Sequence, residues 1–118
     1  MSQVKIKRLS RVVSATVATA TASCTTLRLE DMASALVQLP VLGTSGAVIQ
    51  VWGNTTDTGT FTQVYGSDGV ASTITVPANG TNVGVSCAMP AAALSANYVK
   101  LVASAAGATA TASVVMKS

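Results

Sequence analysis

The sequence predicts an all-β chain, a single antiparallel β-sandwich of jelly-roll or immunoglobulin-like type with about eight to ten short strands. Three observations carry that expectation. Apolar residues recur with a period of two, not at the three- and four-residue intervals of a helix face. Clusters of Gly, Pro, Asn, Asp and Ser interrupt this alternation at spacings of about 8–12 residues. Val and Thr are abundant, and both are poor choices for exposed helix. A chain of 118 residues makes one domain, able to bury roughly two thirds of its unfolded surface.

The elements follow in order. Val4 and Ile6 alternate with Lys5 and Lys7, giving a basic N-terminal arm over residues 1–11 ahead of a sandwich domain at 12–118. Ala15 and Val17 share one face of the next strand. The apolar phase then slips by one residue to Ala18, Ala20 and Ala22, as a β-bulge would permit. Leu27 and Leu29 follow, then Ala33, Ala35, Val37 and Leu39 on one face, stopped by Pro40. Gly43-Thr44-Ser45-Gly46 turns the chain. Val48–Trp52 and Thr60–Tyr65 flank the turn-forming string Gly53–Gly59, a hairpin that feeds a second one through Ser67-Asp68-Gly69. Ile74 and Val76 mark a strand ending at Pro77, and Asn79-Gly80 is a turn signal. Val83, Val85, Cys87 and Met89 alternate with Gly84, Ser86 and Ala88. Pro90–Leu94 is a helical turn with Pro at its start. Val99 and Leu101 form another strand, Ala105–Gly107 a turn, and Ala108–Met116 a last strand of alternating Ala and Thr.

Charge is scarce and unevenly placed. Charged residues make up 9% of the chain, against about 25% in an average globular protein. Either partners cover much of the surface or Thr and Ser hydroxyls solvate it. Lys5, Lys7, Arg8 and Arg11 give the first eleven residues four positive charges and no acid. The remainder is near neutral. Such an arm suits an acidic protein surface, or equally a solvated, partly ordered terminus; without interleaved aromatics it is a poor signal for nucleic acid.

Conventional chemistry is missing. The chain has no His, which removes Ser-His-Asp and Cys-His catalysis in their usual forms. Glu30 and Asp31 are adjacent, and in a strand they would point to opposite faces. Asp57 and Asp68 bracket the Thr60–Tyr65 strand, about 20 Å apart if extended, too far for a glycosidase pair. They read as turn residues rather than calcium ligands. No enzyme activity, cofactor or metal is expected. Cys24 and Cys87, with no CxxC, do not form a usual zinc site. Their apolar setting favours two buried thiols over a disulfide.

Lys5–Arg11, Val12–Ala22 and Cys24 superficially resemble a lipoprotein signal. Four hydroxyl residues interrupt that stretch and it contains no Leu, so a strand is expected there instead. No run is long and apolar enough for a membrane-spanning helix. Trp52, Phe61 and Tyr65 are expected to supply core volume; an exposed sugar-stacking platform is the alternative.

The order of motifs resembles that of small β-sandwich virion structural proteins of tailed bacteriophages. It runs through Thr26–Met32, Ala35-Leu36-Val37-Gln38-Leu39-Pro40, Ala47–Trp52, Asp57-Thr58-Gly59-Thr60-Phe61, Val64-Tyr65, Asp68-Gly69 and Asn97-Tyr98-Val99-Lys100-Leu101-Val102. The resemblance spans about residues 20–118, and Asp-Thr-Gly stands where the simplest pattern has Asp-Gly, which lengthens the first turn. It implies a non-enzymatic capsid decoration (cement) protein, assembled in the host cytoplasm onto the capsid surface. Its partners would be the major capsid protein and further copies of itself, in a homo-oligomer such as a trimer. On that expectation Val4, Lys5, Ile6, Lys7, Arg8 and Arg11 bind the partner, by charge pairing or by strand addition around Val4 and Ile6. The alternatives are a tail, fibre or adaptor module binding glycan and, more remotely, a bacterial surface lipoprotein or adhesin module.

Overall fold

A computed structural model describes residues 9–40, 48–76, 84–104 and 109–118. Within them lie nine strands: β1 (Ser10–Val17), β2 (Leu27–Arg28), β3 (Ser34–Leu39), β4 (Val48–Asn54), β5 (Thr62–Gln63), β6 (Thr73–Thr75), β7 (Val85–Ala88), β8 (Tyr98–Ala103) and β9 (Ala110–Lys117). Two 3-10 turns, Thr21–Ser23 and Ala91–Ser95, complete the regular structure. The chain is all-β, as the period-two alternation predicts.

The strands form two antiparallel sheets. Sheet I has the order β1-β9-β3-β7, and sheet II the order β2-β8-β4-β5, with β6 also pairing with β4. Because β8 runs along one edge of β4, β5 and β6 share the other: β5 pairs at Trp52 and Gly53, β6 at Val48–Gln50. The pairings β1·β9, β2·β8, β3·β7 and β4·β6 describe one long antiparallel hairpin folded back on itself. Rolling that hairpin up adds the contacts β3·β9 and β4·β8. This is the jelly-roll arrangement.

The core lies between the sheets and is built from small and branched aliphatics. Val17, Val37, Ile49, Val51, Val99, Val114 and Met116 are fully buried, each at an inward position of a strand whose neighbours face out. On β4 the inward residues are Ile49, Val51 and Gly53, and Gly53 is small for a reason. A Cβ there would lie 3.0 Å from the Ala96 Cβ and 3.1 Å from Val64 Cγ2, so the end of the second 3-10 turn packs directly on this strand.

Several local expectations are corrected. No bulge carries the Val12–Ala22 stretch onward: β1 ends at Val17, Ala18 bridges in parallel to Val102, and the chain turns through Thr21–Ser23. The phase slip therefore marks the chain leaving sheet I for sheet II, fixed by the Ala103 N–H donating to Ala18 O at 2.8 Å. Glu30 and Asp31 are not in a strand. They form the turn after β2, with Asp31 left-handed at φ 68° and Glu30 2.9 Å from Arg28. Cys24 is buried and Cys87 partly so, both as free thiols. Pro90 does open a helical turn, as its fixed φ allows. The turns expected at Gly43–Gly46, Asn79-Gly80 and Ala105–Gly107 lie outside the described residues.

Candidate functional site

Of the candidate partner-binding residues, Val4, Lys5, Ile6, Lys7 and Arg8 lie outside the described residues. Arg11 is described, and it lies within β1 opposite Met116. It shares the inward parity of Val13, Ala15 and Val17 and is partly buried at the strand's start.

Phe61 is buried but outside the main core cluster, whereas Trp52 is half-buried and Tyr65 exposed, which corrects the expectation that these aromatics supply core volume. The core cluster contains no aromatic side chain. Trp52 points outward from β4 with Gln50, whose Oε1 accepts a 3.2 Å bond from the indole Nε1. Its cross-strand partner on β8 is Lys100. The Lys100 ammonium donates to Thr21 O at 3.0 Å and sits 4.7 Å from the centre of the Phe61 ring, a stacking of cation on aromatic. Phe61 is thus buried under Lys100 on the outside of sheet II, apart from the core cluster. Tyr98 lies two residues from Lys100 on the same outward parity.

Next to this face a narrow hairpin leaves the edge of sheet II. Val64 N–H donates to Val51 O at 2.9 Å as the chain departs, and Ser72 N–H donates to Val64 O at 2.9 Å as it returns. Between them Tyr65 bridges Ala71, and the turn closes through the Gly66 N–H donating to Val70 O at 2.8 Å. Asp68 is a turn residue, its Oδ1 accepting from the Val70 N–H, and Gly69 supplies φ 79°. Tyr65 and Val70 stand 56% and 64% exposed on this projection, so the hairpin presents an aromatic and an aliphatic side chain to solvent.

On its other side the β4–β5 loop borders an open groove of about 600 Å³ lined by Asn54, Thr60, Gln63, Val64 and Asn97. Its amides already hold the loop. Asn54 Nδ2 donates to Thr58 O at 2.9 Å, and Asn97 Nδ2 donates to Thr55 O at 3.2 Å. The groove is lined by no charged side chain.

Sheet I presents a different outer face. The register places Val12 opposite Val115, Val115 opposite Leu36, and Leu36 opposite Ala88. One apolar row therefore crosses all four strands. A second row, Ser14, Ser113, Gln38 and Ser86, runs beside it and is polar but uncharged. Among the described residues Lys117 is the one charged side chain at an outward position of these strands.

Among the described residues no group of three or more His, Cys, Asp or Glu side chains is placed to hold a metal ion. The sequence reading missed Lys100 and the β1 edge. Period two in Tyr98-Val99-Lys100-Leu101 already pairs Tyr98 with Lys100 on one face, and Ser10, Val12, Ser14 and Thr16 form the outward set of β1 by the same rule. Comparison of the chain with models of known protein families, with curated proteins and with solved structures found no match.

Proposed function

We propose that the chain is a non-enzymatic structural protein of a tailed-phage virion, a capsid decoration protein that binds the lattice of the major capsid protein in many copies. The observation that supports this reading is the jelly-roll sandwich whose four-stranded sheet carries an apolar row across its outer face. It agrees with the fold that the motif order implies. Jelly rolls recur in viral capsid and lectin domains, though a shared fold is an analogy and not a function. Attachment at many lattice positions turns modest single contacts into stable association, and the basic residues before β1 suit an acidic lattice surface.

The test is to separate heads from tails and identify, by mass spectrometry, which carries the chain. Recovery with heads is expected, and recovery only with tails overturns the proposal. Binding of purified protein to bare capsids then isolates the arm. The deletion should stop at Arg8, because Ser10 and Arg11 belong to β1. Weaker binding of the truncated chain, and weakening of the full chain by salt, are the outcomes that charge pairing requires.

A second reading, a tail, fibre or adaptor module that binds glycan, draws on the exposure of Tyr65 beside Trp52, Gln63 and Lys100. Aromatic faces flanked by amides suit the apolar faces and hydroxyls of sugars. It requires glycan binding that Tyr65→Ala abolishes without lowering stability. Processing of the chain as a lipoprotein before Cys24 has little support, because cleavage there would remove the whole of β1 from sheet I.

A further inference from the structure

The geometry points to self-association of this chain through the free edge of β1, by antiparallel pairing with β1 of a second copy about a twofold axis at Val12. This inference stands apart from the virion reading. Its basis is the direction of backbone groups along β1.

In an antiparallel ladder alternate residues exchange their backbone bonds with one neighbour, and those between point the other way. At the start of β1, Ser118 N–H donates to Leu9 O at 2.9 Å, which assigns the odd-numbered residues to β9. At its end, Thr16 N–H donates to Thr25 Oγ1 at 2.8 Å and Thr16 O accepts from Thr25 N–H at 3.2 Å. Thr25 thus covers the outward-facing backbone of Thr16. The remaining even-numbered residues, Ser10, Val12 and Ser14, direct their N–H and C=O groups to the open edge, and no described residue caps them. The edge lacks most of the usual protections against pairing: β1 contains no Pro, no Lys and no bulge, and its one charged residue, Arg11, lies at an inward position near the strand's start.

The spacing selects the occupant. Ser10, Val12 and Ser14 are symmetric about Val12. A second β1 running antiparallel, with Val12 opposite its own copy, places Ser10 opposite Ser14 and uses every open donor and acceptor of both strands. A shift of two residues either way leaves groups unpaired. The same register sets Thr16, already covered by Thr25, beyond the paired run. It joins the two sheets I into one and makes the Val12-Val115-Leu36-Ala88 rows continuous across the axis. Antiparallel pairing also sets the two Lys117 side chains, each beside Ser10, about 20 Å apart by strand geometry, beyond the Debye length at physiological salt. Parallel pairing would bring these basic ends together.

A five-residue edge is smaller than the roughly 1,200–2,000 Å² of a standard stable interface, so association should depend on concentration. Sedimentation analysis of the full chain from about 10 μM to 1 mM should show a monomer–dimer equilibrium. Ser14→Pro removes an edge-facing N–H that β9 does not use and should shift the curve to monomer; Val12→Lys, which sets two like charges on the axis, should do the same. Circular dichroism and urea midpoints of both variants show whether the domain stays folded. Val12→Cys in a Cys87→Ala background should form a disulfide dimer on mild oxidation, since hydrogen-bonded partners have Cα atoms about 5.5 Å apart. Ser14→Cys in that background should not, because its opposite residue is Ser10. A monomer throughout the range, a dimer indifferent to folded Ser14→Pro and Val12→Lys, or equal cross-linking at positions 12 and 14 would overturn the inference.

Discussion

Truncating Val114 measures how much of this fold rests on an aromatic-free core. Val114 is fully buried on β9, opposite Val13 of β1 and Val37 of β3. Val114→Ala removes two carbons, about 1.6 kcal/mol of transfer free energy at about 0.8 kcal/mol per methylene. An unrelaxed cavity of about 50 Å³ adds about 1.2 kcal/mol. The expected loss is therefore about 1.5–3 kcal/mol, the lower end applying if the neighbours collapse. For a chain of this size the upper value lowers Tm by about 12 °C. Val70→Ala is the matched control: the same atoms are removed from a side chain 64% exposed on the projecting hairpin, and the cost should stay within about 0.5 kcal/mol. Urea unfolding at constant m reports both. Equal losses, or a Val114 loss within about 0.5 kcal/mol, would refute the inward assignment of β9.

Lys100→Met should cost about 1–2 kcal/mol, because it removes a charged donor to Thr21 O and the cation over Phe61; Lys100→Arg should cost less in the same urea titration. Gly53→Val should cost about 1–3 kcal/mol by overpacking against Ala96 and Val64, read by thermal melting. Thiol titration should find Cys87 reactive in the folded protein and Cys24 only on unfolding, with no mass change on reduction. A disulfide-linked pair would show no free thiol in either state.

Strand existence was legible because period two leaves a mark wherever one face is buried. Ala35, Val37 and Leu39 of β3, and Val99 and Leu101 of β8, are the inward residues that alternation selects. Sheet assignment was not legible, since Ala18, Ala20 and Ala22 look like strand although the chain is crossing between sheets. That distinction depends on the hydrogen bond from Ala103 to Ala18, a partner more than eighty residues away. The aromatic positions misled for another reason. On β4 the inward residue nearest the turn is Gly53, so the largest apolar side chain, Trp52, falls on the outward face with Gln50 and Asn54. Those polar neighbours were the available signal. Size argued for the core, and the close approach of Ala96 left no room for a side chain there.

The low charge of the chain can now be divided between its two explanations. Most of the outer face of sheet I is solvated by hydroxyl and amide groups: Ser14, Ser113, Gln38 and Ser86 form one row, and Thr16 and Thr111 pair beyond it. Such a surface needs no partner, because hydroxyls keep their hydrogen bonds with water. Scarce charge alone is therefore no argument that this face is covered. The Val12-Val115-Leu36-Ala88 row is different, since water gains nothing from it. Its outermost member, Val12, is 65% exposed and sits midway along the run of uncapped backbone groups on β1. Apolar exposure and unpaired hydrogen-bonding groups thus meet on one strand, and burying either alone would leave the other in water. A strand added at β1 satisfies both together, which makes this edge, rather than the hydroxyl-rich face as a whole, the place where a partner has most to contribute.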